Sequence, residues 1–98
     1  MEKIEVEQFG GGGNGAVVRM PGRRFPGVVV QGDSLFVLRE EVAEIRAACA
    51  RGDLDEATDC AGFLLADLDD MLTAYEAELT RHGIPLPYPA RQRPPADA

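Results

Sequence analysis

From residue 35 to residue 79 the apolar side chains recur at threes and fours, with a single short break around Gly52. Leu35, Leu38, Val42, Ile45 and Cys49 make one stripe, and Ala57, Ala61, Leu64, Leu68, Met71, Tyr75 and Leu79 make another, widened by Leu54, Leu65 and Leu72. That is the period of amphipathic helices. Gly52 suits the left-handed residue that ends the first helix, Asp53 or Asp55 suits the cap of the second, and Gly83 closes it. Helices are expected over about 34–51, capped by Asp33 or Ser34, and about 54–82. A connection this short makes them fold back as an antiparallel hairpin with their stripes in one seam.

The first third has a different period. Ile4 and Val6 alternate with Lys3, Glu5 and Glu7, which predicts a half-buried strand over about 3–9 with Ile4 and Val6 inward. A glycine run leads into a β-branched stretch over about 16–20, and Val28, Val29, Val30 and Gln31 make a third strand over about 28–31. Pro21-Gly22 and Pro26-Gly27 bracket the loop between them. Short connections require antiparallel pairing. The expected fold is therefore α+β: a three-stranded antiparallel β-meander packed on an antiparallel two-helix hairpin.

After Gly83 the chain reads IPLPYPARQRPPADA, holding five of the seven prolines. Ile84, Leu86 and Tyr88 can lie as an extended strap, and residues 89–98 read as a disordered Pro-rich tail. At 98 residues the chain makes one domain, 1–88, too small for a two-lobed cleft. No stretch approaches the roughly 18–20 apolar residues of a membrane span, and the basic-then-apolar order of a signal peptide is absent, so a cytoplasmic protein is expected. In that compartment Cys49 and Cys60, on or beside the stripes, are expected as buried free thiols.

Charge is concentrated in one segment. Between Asp53 and His82 stand nine acids and one base, a balance of −8 in a chain whose formal net charge is −7. A helix there has one apolar face and one dense anionic face. Phe63 falls on the anionic side, among Glu56, Asp59, Asp67 and Asp70. An aromatic in that setting is either an interface anchor or the place where the sheet packs. Arg19, Arg23 and Arg24, with Gln31 and Asp33, form a second candidate, an anion or ligand contact at the sheet edge.

Other motifs have plainer explanations. Gly10, Gly12 and Gly15 spell G-x-G-x-x-G, but lead into a strand where a dinucleotide site needs a helix. Arg51-Gly52-Asp53 coincides with a helix stop and the next cap. Nucleophilic catalysis would have to use Ser34 or a cysteine with His82; Ser34, His82 and Asp33 make a conceivable triad, but capping and the helix dipole account for them. Asp67, Asp69 and Asp70 diverge on a helix and lack calcium-loop spacing. No catalytic residue, cofactor or metal site is assigned.

The segment AVVRMPGRRFPGVVVQGDSL, a helical hairpin and the ending HGIPLPY together resemble a family of short bacterial proteins of unknown function, up to Tyr88. The PGRRFPGVVVQGDSL portion is the specific part. The resemblance implies a free-standing domain and supplies no catalytic residues. The residues themselves favour a small non-enzymatic interaction protein, an inhibitor, immunity protein or accessory subunit, that presents its acidic helix to a basic partner surface. An anionic-ligand binder or enzyme built on the arginines, and a structural homodimer formed through the hairpin, are the alternatives. The acidic balance argues against direct nucleic-acid binding.

Overall fold

A computed structural model describes residues 1–11 and 15–91. The order is β1 (Glu7–Phe9), β2 (Val17–Arg19), β3 (Gly27–Val28), α1 (Gly32–Ala50) and α2 (Leu54–Arg81). The three strands form one antiparallel sheet in the order β1-β2-β3, so the α+β architecture is as expected. The strands are shorter than their sequence patterns, although the Gly15 and Val29 amides extend the β2–β3 ladder by bonds of 3.0 and 2.8 Å to Val29 and Ala16.

Both helix ends are built as the glycines require. At the turn Gly52, with φ +72°, donates to Cys49 at 3.0 Å while the Asp53 amide donates to Ala48 at 2.9 Å. That is a Schellman pair. Asp53 then begins α2, its carboxylate accepting from the Glu56 amide at 3.1 Å. The same pattern ends α2: Gly83, φ +69°, donates to Thr80 and Ile84 to Leu79. The start of α1 differs from expectation. The helix begins at Gly32 with Gln31 as its N-cap, so Asp33 and Ser34 lie in its first turn, where the Asp33 carboxylate accepts from the Ser34 amide at 2.8 Å.

The inward face of β1 is the opposite of the one its alternation suggests. Phe9 pairs with Val17, and Val17 with Val28, which sets one apolar row across all three strands. That row and Glu7, which pairs with Arg19, share a face, while Ile4 and Val6 precede β1 and are 51% and 42% exposed. The row meets Tyr75 and Leu79 of α2, with Ile84, Leu86 and Tyr88 of the strap packed against them. Tyr75 fixes the arrangement by donating its hydroxyl to the Pro26 carbonyl at 2.6 Å.

The sheet covers only one end of the hairpin. Residues 32–50 of α1 run back along α2 only as far as about Ala74, and the sheet occupies the length of α2 beyond it. Along the hairpin itself Ala48 and Ala57 are buried near the turn, and Leu38, Ile45, Leu64 and Met71 are half-buried in the seam. Leu35, Val42, Leu54, Leu65 and Leu68, expected as core, are exposed. Cys49 is exposed rather than buried, Cys60 is half-buried, and both thiols are free. The molecule is correspondingly open, with a radius of gyration of 16.6 Å, against about 13 Å for a compact chain of this length.

Candidate functional site

The nine acids of the second helix divide into those with structural work and those without. Asp53 caps α2, and Glu78 accepts from Arg81 at 2.8 Å and lies 3.8 Å from His82. Glu76 and Asp69 hold Arg91, at 2.9 and 2.7 Å, and Glu76 also accepts the Tyr88 hydroxyl at 2.9 Å. Tyr88 stacks on Tyr75, and its phenol is pushed up to about 12 by burial and then by the Glu76 hydrogen bond. The strap thus stays against α2 as far as Arg91, two residues beyond the expected limit at Pro89, and offsets part of the charge on one flank of the helix. Residues 92–98, expected as disordered, lie outside the described residues.

The opposite flank keeps its charge. Glu56, Asp59, Asp67 and Asp70 make no ion pair among the described residues, and Phe63 in their midst is 69% exposed. The sheet does not pack on Phe63. Two features of this face escape a reading of α2 alone. One is a groove of about 420 Å³ floored by Val37 and Leu38 of α1 and Met71 and Ala74 of α2, with Asp67 and Asp70 at its edge. The other is Glu41, half-buried in the seam opposite Asp67. Hydrogen bonding to Asp67, then burial and the like charge, hold the Glu41 carboxyl above the usual carboxylate range. Its Oε2 is buried without a hydrogen-bond partner. A proton shared across the seam relieves the like-charge repulsion. The signal for this pair was available: Glu41 sits three residues from Leu38 and four from Ile45, on the stripe that faces α2.

The arginine group is not one site. Glu7 holds Arg19 by two 2.8 Å hydrogen bonds, which lowers the Glu7 carboxyl, and Arg19 also donates to the Arg24 carbonyl at 3.3 Å and lies over the Phe9 ring. Arg23 and Arg24 are exposed, Arg24 over Phe25 at 5.1 Å. The register places these three at the β2–β3 turn, whereas Gln31 and Asp33 follow the other end of β3. Five residues at about 3.3 Å each put Gln31 some 16 Å from the row of Pro26.

The conceivable triad is also separated. Ser34 borders the groove with Asp70 and Met71, whereas His82 caps the far end of α2, its ring edge-on to Phe9 at 4.9 Å. Eleven residues of helix from Met71 to His82 span about 16 Å. In the glycine run Gly10 has φ +75° and abuts Glu78, where an added Cβ would stand 2.6 Å from a carboxylate oxygen. Gly12 lies outside the described residues, and Gly15 leads into β2, a strand. Among the described residues no group of three His, Cys, Asp or Glu side chains is placed to hold a metal ion, and no helix is long and apolar enough to cross a membrane.

The profile of DUF6959, a family of unknown function, covers residues 1–88. The chain belongs to this family. The DUF6959 span takes in the sheet, both helices and the strap as far as Tyr88, the whole set of elements that meet in the Phe9, Val17, Tyr75 and Leu79 core. No curated protein and no solved structure matches the chain.

Proposed function

We propose that this DUF6959 protein is a non-enzymatic binding protein whose acidic α2 face docks on a basic protein surface, in the manner of an inhibitor, an immunity protein or an accessory subunit of a cytoplasmic bacterial complex. The observation that carries the reading is Phe63, 69% exposed among four carboxylates that have no ion pair among the described residues. An isolated aromatic on such a face has no internal packing to explain it, and interfaces concentrate their energy in anchors of this kind. The adjoining groove adds an apolar floor with aspartates at its edge. Basic side chains fit that combination, since their aliphatic stems lie on apolar surface while their charged heads meet carboxylates. The enzyme and small-ligand readings lose support because the arginines stand at one end of β3 and Gln31 and Asp33 at the other, and Arg19 is already satisfied by Glu7.

The test is capture from the native cell with wild type and with two variants. Asp59→Asn/Asp67→Asn/Asp70→Asn should slow association and flatten its salt dependence. Phe63→Ala should quicken dissociation. A partner retained equally by all three proteins at low salt would exclude the acidic face.

A further inference from the structure

We propose that the open apolar face of the α1–α2 hairpin, on the other side from the acidic groove, is the interface of a homodimer in which two hairpins stack face to face as a four-helix bundle. The inference does not depend on the binding role of the acidic face. It starts from two lines of residues at seven-residue spacing. Leu38 and Ile45 on α1, with Ala57, Leu64 and Met71 on α2, form the line that closes the hairpin seam, and all are half-buried or buried. Leu35, Val42 and Cys49 on α1, with Leu54, Ala61 and Leu68 on α2, form the companion line, and every one of them is exposed.

A helix in a four-helix bundle buries both such lines, one against each neighbour. A two-helix hairpin buries one. Here the companion lines of the two helices flank the same side of the seam, so they form a continuous surface. Leu54 is 76% exposed, Leu35 59%, Val42 52% and Leu68 40%.

Three observations point to a second copy as the occupant. The pattern is self-complementary, because the same seven-residue repeat that fits α1 to α2 fits either helix to its counterpart in another hairpin. The electrostatics permit it: Phe63 stands about 140° round α2 from Leu68, so stacked hairpins carry their acidic faces outward. A basic partner is the poorer fit, since Arg39 and Arg46 border the open line on α1. The size is also adequate. A 19-residue α1 is about 28 Å long, and two helices side by side are about 20 Å wide, a face of roughly 560 Å² in projection. Stable interfaces bury about 800 Å² of accessible surface per partner, and side-chain relief raises accessible area above its projection.

The test is the mass of the full chain in solution by sedimentation equilibrium over a wide concentration series. Wild type should approach twice its 10.6 kDa. Val42→Arg/Leu68→Arg should remain at the mass of one chain with its helical circular dichroism intact, because both side chains are exposed in the single chain. The Asp59→Asn/Asp67→Asn/Asp70→Asn variant should dimerise as wild type does. Wild type that stays at one-chain mass at every concentration overturns the proposal, as does an arginine variant that still dimerises or an asparagine variant that does not. Should the arginine variant fail to fold, wild type alone decides: maleimide labelling of Cys49 should slow severalfold at high protein concentration relative to Cys60 in the seam. A Cys49 rate unchanged by concentration overturns the dimer.

Discussion

The two ends of α2 carry the same apolar stripe and meet different fates. At its C-terminal end Tyr75 and Leu79 lie beneath the sheet and beside the strap, with Leu79 fully buried. Toward its N-terminal end the helix has α1 along one side only, and Leu54, Leu65 and Leu68 face outward. Periodicity therefore specifies which face of a helix is apolar, and the lengths and connections of the other elements decide what covers it. The fold is held together at one end of α2, and the surface available for recognition is at the other.

The sharpest way to break that contrast is to truncate a leucine at each end. Leu79→Ala should cost about 2–5 kcal/mol of stability, the price of an internal cavity. Leu68→Ala should cost on the order of 1 kcal/mol or less in dilute protein, since less of its surface leaves water on folding. Urea unfolding measures both. Equal losses at low concentration would mean that the two ends are equally packed. A Leu68→Ala penalty that grows with protein concentration would instead show a second chain on that surface.

A smaller effect tests how the sheet is fastened to its end of α2. Tyr75→Phe retains the ring against Phe9 and Val17 but removes the 2.6 Å bond to the Pro26 carbonyl. Leaving that acceptor without its partner should cost about 1–2 kcal/mol. An unchanged midpoint in urea would show that the apolar row alone holds the sheet in place.

The hairpin was legible because its local signals agree. Gly52 ends α1, Asp53 caps α2, and the apolar period runs unbroken on either side. The anionic face was legible for the same reason: position on a helix follows from residue number. The facing of β1 was not legible. Ile4 and Val6 offer as good an alternation as Phe9, and only pairing with Val17 and Val28 selects the row that meets α2. The overhang had an unused signal in the helix lengths, 19 residues against 28. An antiparallel partner that short leaves the last third of α2 for the sheet. The groove and the Glu41–Asp67 pair belong to two helices at once, and of these only the place of Glu41 on the seam stripe was readable from one helix alone.

The strap gives a pH-dependent version of the same comparison. Burial and Glu76 raise the Tyr88 phenol to about 12. Because the folded value exceeds the unfolded one, the stabilisation is complete below about pH 10 and is lost as pH rises toward 12. Burial raises the Tyr75 phenol as well, so ultraviolet titration should show both tyrosines ionising late, and Tyr88→Phe should remove the later step along with its share of the loss of stability in that alkaline window. A Tyr88→Phe protein with the same alkaline unfolding profile would detach the strap from the packed end of α2.

The smallest expected effect lies in the hairpin seam. Glu41 opposite Asp67 has a carboxyl raised above its ordinary value of 4.5, so the folded protein holds that proton more tightly than the unfolded chain does. Its favourable contribution is complete below the ordinary value and fades as pH rises through the folded one. Glu7 works in the opposite direction. Its carboxyl is lowered by Arg19, so its contribution is present above the ordinary carboxylate value and fades as pH falls through the lowered one. The two groups therefore act on different sides of the ordinary carboxylate range, and a stability profile separates them. Glu41→Gln supplies an amide donor to Asp67 at every pH, which should remove the decline on the neutral side and leave the acidic side unchanged. If the neutral-side decline survives Glu41→Gln, the two carboxyl groups do not share a proton, and the seam near the groove is wet enough for both to ionise.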